Sequence, residues 1–211
     1  MKLLAQSFHN QVHLYVFVTV LFVVGVVFGA LLVNALTFEQ QQDIARHLGQ
    51  FFVTVETEQR SADRSEQFWS SLLFYWKWIG VIALLGISII GFPLILALDF
   101  IKGTLVGFTV GTLVSQYSWK GMLFAFVSVA PPNLIAIPLV LMCSVASLAL
   151  AFHILKHRLL IPKMNASREP LKQYIVTHGG AAGGMIVVAA LVTWISPPLM
   201  QWAASLFTQV G

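Results

Sequence analysis

The sequence predicts an all-α polytopic membrane protein, with about five transmembrane helices and one amphipathic extracytoplasmic helix. Hydrophobic residues make up 58% of the 211 and charged residues only 9%, against about 25% charged in a soluble domain. The mean hydropathy is +0.84. Several apolar runs reach the roughly 20 residues that a helix needs to cross the hydrocarbon of a bilayer. Twelve basic and eight acidic side chains cannot supply the polar coat of a soluble fold.

The chain reads as a single membrane domain over 1–211. The first span is 14–36, which carries no charge and follows Lys2, His9 and His13. It is long enough to cross the bilayer and has no small-residue cleavage site, so it reads as a retained span rather than a signal peptide. A polar stretch, 37–70, comes next. Thr37 and Gln40 have the spacing of a capping box. Ile44, Leu48, Phe51, Phe52 and Val55 then fall on one face of an amphipathic helix. The rest of the stretch reads as a polar loop or frayed helix.

Apolar sequence from 72 to 114 is twice the length of one span. Gly91-Phe92-Pro93 divides it into 72–90 and 94–114, because a proline cannot donate a helix hydrogen bond. Tyr75, Trp76 and Trp78 read as an interfacial aromatic belt. A polar turn at 116–120 leads to the fourth span, 122–155, kinked or broken at 131–132 by two adjacent prolines. The fifth span is 179–206. Lys156, Arg158, Lys163, Arg168 and Lys172 against the single Glu169 place 156–172 in the cytoplasm by the positive-inside rule. With a cytoplasmic N-terminus, four spans then bring the chain back to the cytoplasm, and the fifth sends the C-terminus outside.

Gly103, Gly107 and Gly111 recur every fourth residue, and Gly25 and Gly29 repeat the theme in the first span. Such faces let another backbone approach closely. They are candidates for helix packing within the chain, or for docking of a partner helix or a second copy. Asp99 and Lys102, three apart, and Asn133 beside Pro131 and Pro132 are the polar intramembrane candidates. The alternatives are that Asp99 and Lys102 snorkel at an interface, and that Asn133 satisfies carbonyls freed by the prolines.

The sequence contains no HExxH, GxSxG or P-loop pattern. Asp99 has no acidic companion, and the histidines lack a ligand cluster. The reading is no enzyme, no cofactor and no metal. No basic face interleaved with aromatics suggests nucleic acid, and the only cysteine, Cys143, lies in an apolar run.

The stretch ISIIGFPLILALDFIKGTLVGFTVGTLVSQYSWKGMLFAFVSVAPPNLIAIP, 87–138, resembles the stage II sporulation protein M family. So does YVFVTVLFVVGVVFGALLVNAL, 15–36. The ordered set GFP, FIKG, GFTVG, WKG and PPN carries the likeness from about residue 10 to 205, although the family often has Gln where this chain has Pro132. The resemblance implies a multi-pass protein of the bacterial cell membrane, at the sporulation septum and the engulfing mother-cell membrane. It implies a scaffold that anchors and localises two peptidoglycan hydrolases, the stage II sporulation proteins D and P, during forespore engulfment. A transporter or channel subunit is the competing reading, for which the broken spans, Asp99 and Asn133 would line a path.

Overall fold

The structure, a computed structural model, describes residues 2–57, 64–88, 90–155 and 169–200. All regular elements among them are helical: α1 Lys2–Asn34, α2 Phe38–Thr57, α3 Arg64–Ile87, α4 Gly91–Ser128, α5 Ala130–Leu155 and α6 Glu169–Ala190. A π-helical turn, Leu191–Ile195, follows α6. Five of these helices are long and apolar enough to cross a membrane.

Contacts between helices fix their directions. Gly25 faces Phe100 and Thr104, Gly29 faces Thr104 and Phe108, and Gly111 faces Ala30. Numbers rise together on both sides, so α1 and α4 run parallel. Within α4 the chain reverses at Ser118, whose φ of 49° and ψ of −128° lie outside the helical region. Gly121 then abuts Leu113 and Tyr117, Phe124 and Ala125 pack on Leu113, and Ser144 bonds Asp99. Numbers fall on one side as they rise on the other. The 119–128 arm and α5 therefore both run back along 91–117. By the same logic Ser147 by His178 and Leu139 by Gly184 make α5 antiparallel to α6. Tyr174 on Ala83 and Trp76 on Ala182 make α6 antiparallel to α3. The five spans alternate in direction, as serial crossings require.

The turns are built where the backbone demands them. Ser88 and Gly91 close the α3–α4 turn through bonds to Leu85 and Ser88 carbonyls. A Cβ on Gly91 would run into the Leu85 carbonyl, so only glycine fits this reversal. The capping box at α2 forms: Thr37 N–H donates to Gln40 Oε1 at 3.0 Å and Gln40 N–H to Thr37 Oγ1 at 3.4 Å.

Three boundaries differ from the sequence expectation. α3 begins at Arg64, taking in residues read as a polar loop or frayed helix, since nothing from 64 to 71 breaks a helix. The break near the double proline falls at Val129, so Pro131 and Pro132 occupy the first turn of α5. There a missing N–H costs nothing, because the first turn has no intrahelical acceptor for it. α6 begins at Glu169, ten positions before the expected 179, and Pro170 sits in its first turn for the same reason. Positions 201–206 of the expected last span, residues 58–63 of the polar stretch and most of the basic segment, 156–168, lie outside the described residues. So do the side chains of Leu48, Phe51, Phe52 and Val55.

The aromatic belt is also displaced. Tyr75 packs against the core, Trp76 donates to the Ala182 carbonyl, and Trp78 receives Lys102. The ring cluster at the outer helix ends is Phe68, Trp69 and Trp194 instead, with centroids 5.5–5.8 Å apart. It lies one to two turns earlier along α3, which matches that helix's earlier start.

Candidate functional site

The α1–α4 seam is where the backbone comes closest. A Cβ on Gly25 would lie 2.5 Å from the Phe100 carbonyl oxygen. Cβ atoms on Gly29, Gly103 and Gly107 would run into the carbonyls of Thr104, Phe22 and Val26. Gly111 is less tight, at 3.1 Å from Ala30 Cα. The five glycines thus face the opposite helix, and the chain itself covers them. Their role as a docking face for a partner or second copy is corrected on this ground: no room remains for another helix on that face.

A second feature lies below the mid-plane of the bundle, toward the helix ends that flank 156–168. Asp99 of α4 is 1% exposed and accepts a hydrogen bond from Ser144 Oγ of α5 at 2.8 Å. Its other carboxyl oxygen, Oδ2, has no hydrogen-bond partner. Ser147, one helical turn further along α5, lies 3.2 Å from His178 Nε2 of α6. His178 Nδ1 lies 2.9 Å from the Tyr174 carbonyl. A carbonyl can only accept, so Nδ1 bears a proton, and in the neutral form of the ring Nε2 then accepts from the Ser147 hydroxyl. The Tyr174 ring sits 4.2 Å from the imidazole and its hydroxyl donates to the Ala83 carbonyl of α3. Lys102, at 9% exposure, places its ammonium 4.7 Å from the Trp78 ring centroid.

These groups join α3, α4, α5 and α6 through one polar layer. Polar groups in hydrocarbon must find partners inside the protein, and here three bonds cross between helices: Ser144 to Asp99, Ser147 with His178, and Tyr174 to Ala83. Apolar packing encloses the layer: Ile95, Val145 and Leu148 on one side, Cys143, Met185 and Ala181 on another. Ser147 and His178 have no acid ordering them as a triad; the imidazole is oriented by a backbone carbonyl. Among the described residues no group of three His, Cys, Asp or Glu side chains could hold a metal ion.

Residues 18–197 match the model of the stage II sporulation protein M family. The chain belongs to that family. It is a multi-pass membrane protein of a sporulation family, and the match covers the three middle apolar helices whole and most of the first and last. No curated protein and no solved structure matches the chain.

The sequence-predicted polar residues of this sporulation-family protein do not form one site. Asp99 and Lys102 are both buried within the bundle on α4. Asn133 is remote from them. Its Nδ2 donates to the Val129 carbonyl at 2.8 Å, which repairs the break before the prolines. It also borders an apolar groove of about 480 Å³ between α4 and α5, walled by Val106, Val110, Phe126 and Pro138. The sequence pattern did not pick out Ser144, Ser147 or Tyr174, and it assigned Trp78 to an interfacial belt rather than to Lys102. One signal was present: Ser144 and Ser147 are three apart on α5, the same spacing as Asp99 and Lys102 on α4, and such pairs share a helix face.

Proposed function

We propose that the protein is a membrane scaffold that anchors peptidoglycan-degrading enzymes at the sporulation septum during forespore engulfment. The family match carries this reading. The partners it favours are the stage II sporulation proteins D and P, with the chemistry residing in them and not in this chain.

The packing of the interior supports a structural role over a transport one. Asp99, Ser144, Ser147 and Cys143 are at most 1% exposed, and Met185 and Val188 close the level beside them with none of their surface open. Asp99 and Asn133 lie on separate features and do not line a common path. The larger grooves, of about 480 and 370 Å³, have mainly apolar walls, which suits lipid chains or an apolar helix rather than an ion.

An anchor also needs a face outside the bilayer. The α2 helix provides one: it follows the far end of α1, and the α4 side chain Gln116 donates to the Gln41 carbonyl at 3.4 Å. Glu39, Asp43 and Arg46 stand exposed on it. The test is purification of the tagged protein from sporulating cells in mild detergent. Recovery of a cell-wall amidase or transglycosylase is the expected result, and its absence under conditions that keep the bundle folded contradicts the reading.

A further inference from the structure

Lys77 is an exposed lysine on α3 in the hydrophobic part of the chain. Its depth follows from the helix. Trp69, in the aromatic cluster, and Ser88, in the α3–α4 turn, are separated along α3 by ~28 Å at 1.5 Å per residue, close to the hydrocarbon thickness of about 30 Å. Lys77 stands ~12 Å from Trp69 and ~16 Å from Ser88 on the same scale. A four-carbon stem is shorter than either distance, so the ammonium cannot snorkel free of the apolar layer from its place on the helix.

The surroundings of Lys77 face lipid. Phe74, Val81 and Leu84 on the same stripe are 56%, 45% and 72% exposed. A shallow pocket of about 280 Å³ is walled by Phe74, Lys77, Trp78, Val81 and Leu98. The Trp78 ring in that wall carries the Lys102 ammonium at 4.7 Å, so a second cation lies beside the pocket. Among the described residues Lys77 has neither an ion pair nor a hydrogen bond. A cation on the lipid face at this depth is costly, and charges there are kept where they meet a partner.

We propose that Lys77 and its pocket form a docking face for a partner transmembrane helix that carries one carboxylate at mid-depth. Charge complementarity selects the occupant. A second copy of this chain offers no such group among the described residues: of the acidic side chains placed there only Asp99 lies at comparable depth within a span, and it is 1% exposed. Anionic lipid headgroups stay at the surface and do not descend to this level. The face thus calls for a different protein, with a single acidic residue in an otherwise apolar span. The inference rests on the anchoring role only for what that protein would be.

The experiment uses the full chain, donor-labelled and reconstituted in zwitterionic lipid vesicles, with acceptor-labelled polyleucine helices as probes. One probe carries aspartate at its midpoint, one asparagine, one lysine and one leucine only. Energy transfer to the aspartate probe is expected to report association at least tenfold tighter than to the leucine or asparagine probe. Lys77→Leu, which suits a lipid-facing position and should leave the melting midpoint unchanged, removes that preference. Lys77→Asp transfers the preference to the lysine probe. The proposal is overturned if the aspartate probe binds no better than the others, or if its advantage survives Lys77→Leu. No hydrolase is present in the vesicles. Failure here therefore leaves the anchoring role to its own co-purification test, and loss of hydrolase recovery with this preference intact removes only the anchoring role.

Discussion

Ser144 is the residue on which the buried charge of α4 depends. Among the described residues its hydroxyl is the only hydrogen-bond donor to Asp99, since Oδ2 has none. Ser144→Ala leaves the carboxyl wholly unpaired in the interior, a loss of about 1–3 kcal/mol. A lowered melting midpoint in detergent should register it, and Asp99→Asn, which lowers the charge to be solvated, should recover part of the loss in the double variant. Glycines give a second contrast at this scale. Gly107 meets the Val26 carbonyl, whereas Gly80 has nothing within 4 Å of a would-be Cβ. Gly107→Leu therefore costs roughly 1–3 kcal/mol by forcing two backbones apart, while Gly80→Ala is neutral. Thermal unfolding of the two variants side by side reads the difference. The glycine spacing itself was legible in the sequence, because a small residue every fourth position marks a close approach. What approaches was not legible: repeat spacing names a face but not its occupant, and only the three-dimensional pairing of 25 and 29 with 103 and 107 does so. Asp99 was legible as a buried candidate for the same reason. Its partner Ser144 lies 45 positions away, a separation that no local pattern encodes.

Among the elements, the reversal within α4 carries the strain. Ser118 has a positive φ with ψ near −130°, a region that side chains avoid and glycine enters freely. Ser118→Gly is expected to raise stability by about 1 kcal/mol, seen as a higher midpoint in the same unfolding assay; a fall would mean that the serine side chain holds the turn. Helix existence was legible from apolar length, and the α3–α4 turn from Gly91 and Pro93. Boundaries were less so, for two physical reasons. Proline reads as a breaker in sequence, yet Pro131, Pro132 and Pro170 stand in first turns where their missing N–H is harmless. Polar residues read as loop, yet 64–70 continue as helix beyond the lipid, where water satisfies their outward side chains.

At the scale of the molecule, five alternating spans place the ends of the membrane domain on opposite faces, with α2 on the side opposite the 156–168 connection. Cys143 is buried, so cysteines placed singly at Gln40 and at Lys172 can be labelled without background. An impermeant maleimide added to right-side-out vesicles is expected to reach position 40 and not 172, and labelling of both or of 172 alone would reverse or refute the topology. The polar layer joins α3, α4, α5 and α6, and the glycine seam fastens α1 to α4, so the five spans hold together as one bundle. Whether it positions a cell-wall hydrolase is decided by following that enzyme, fluorescently tagged, in sporulating cells with and without this protein. The account predicts a focus at the septum that disperses over the membrane when the protein is removed and returns when it is resupplied. A focus that forms equally well without the protein would contradict it.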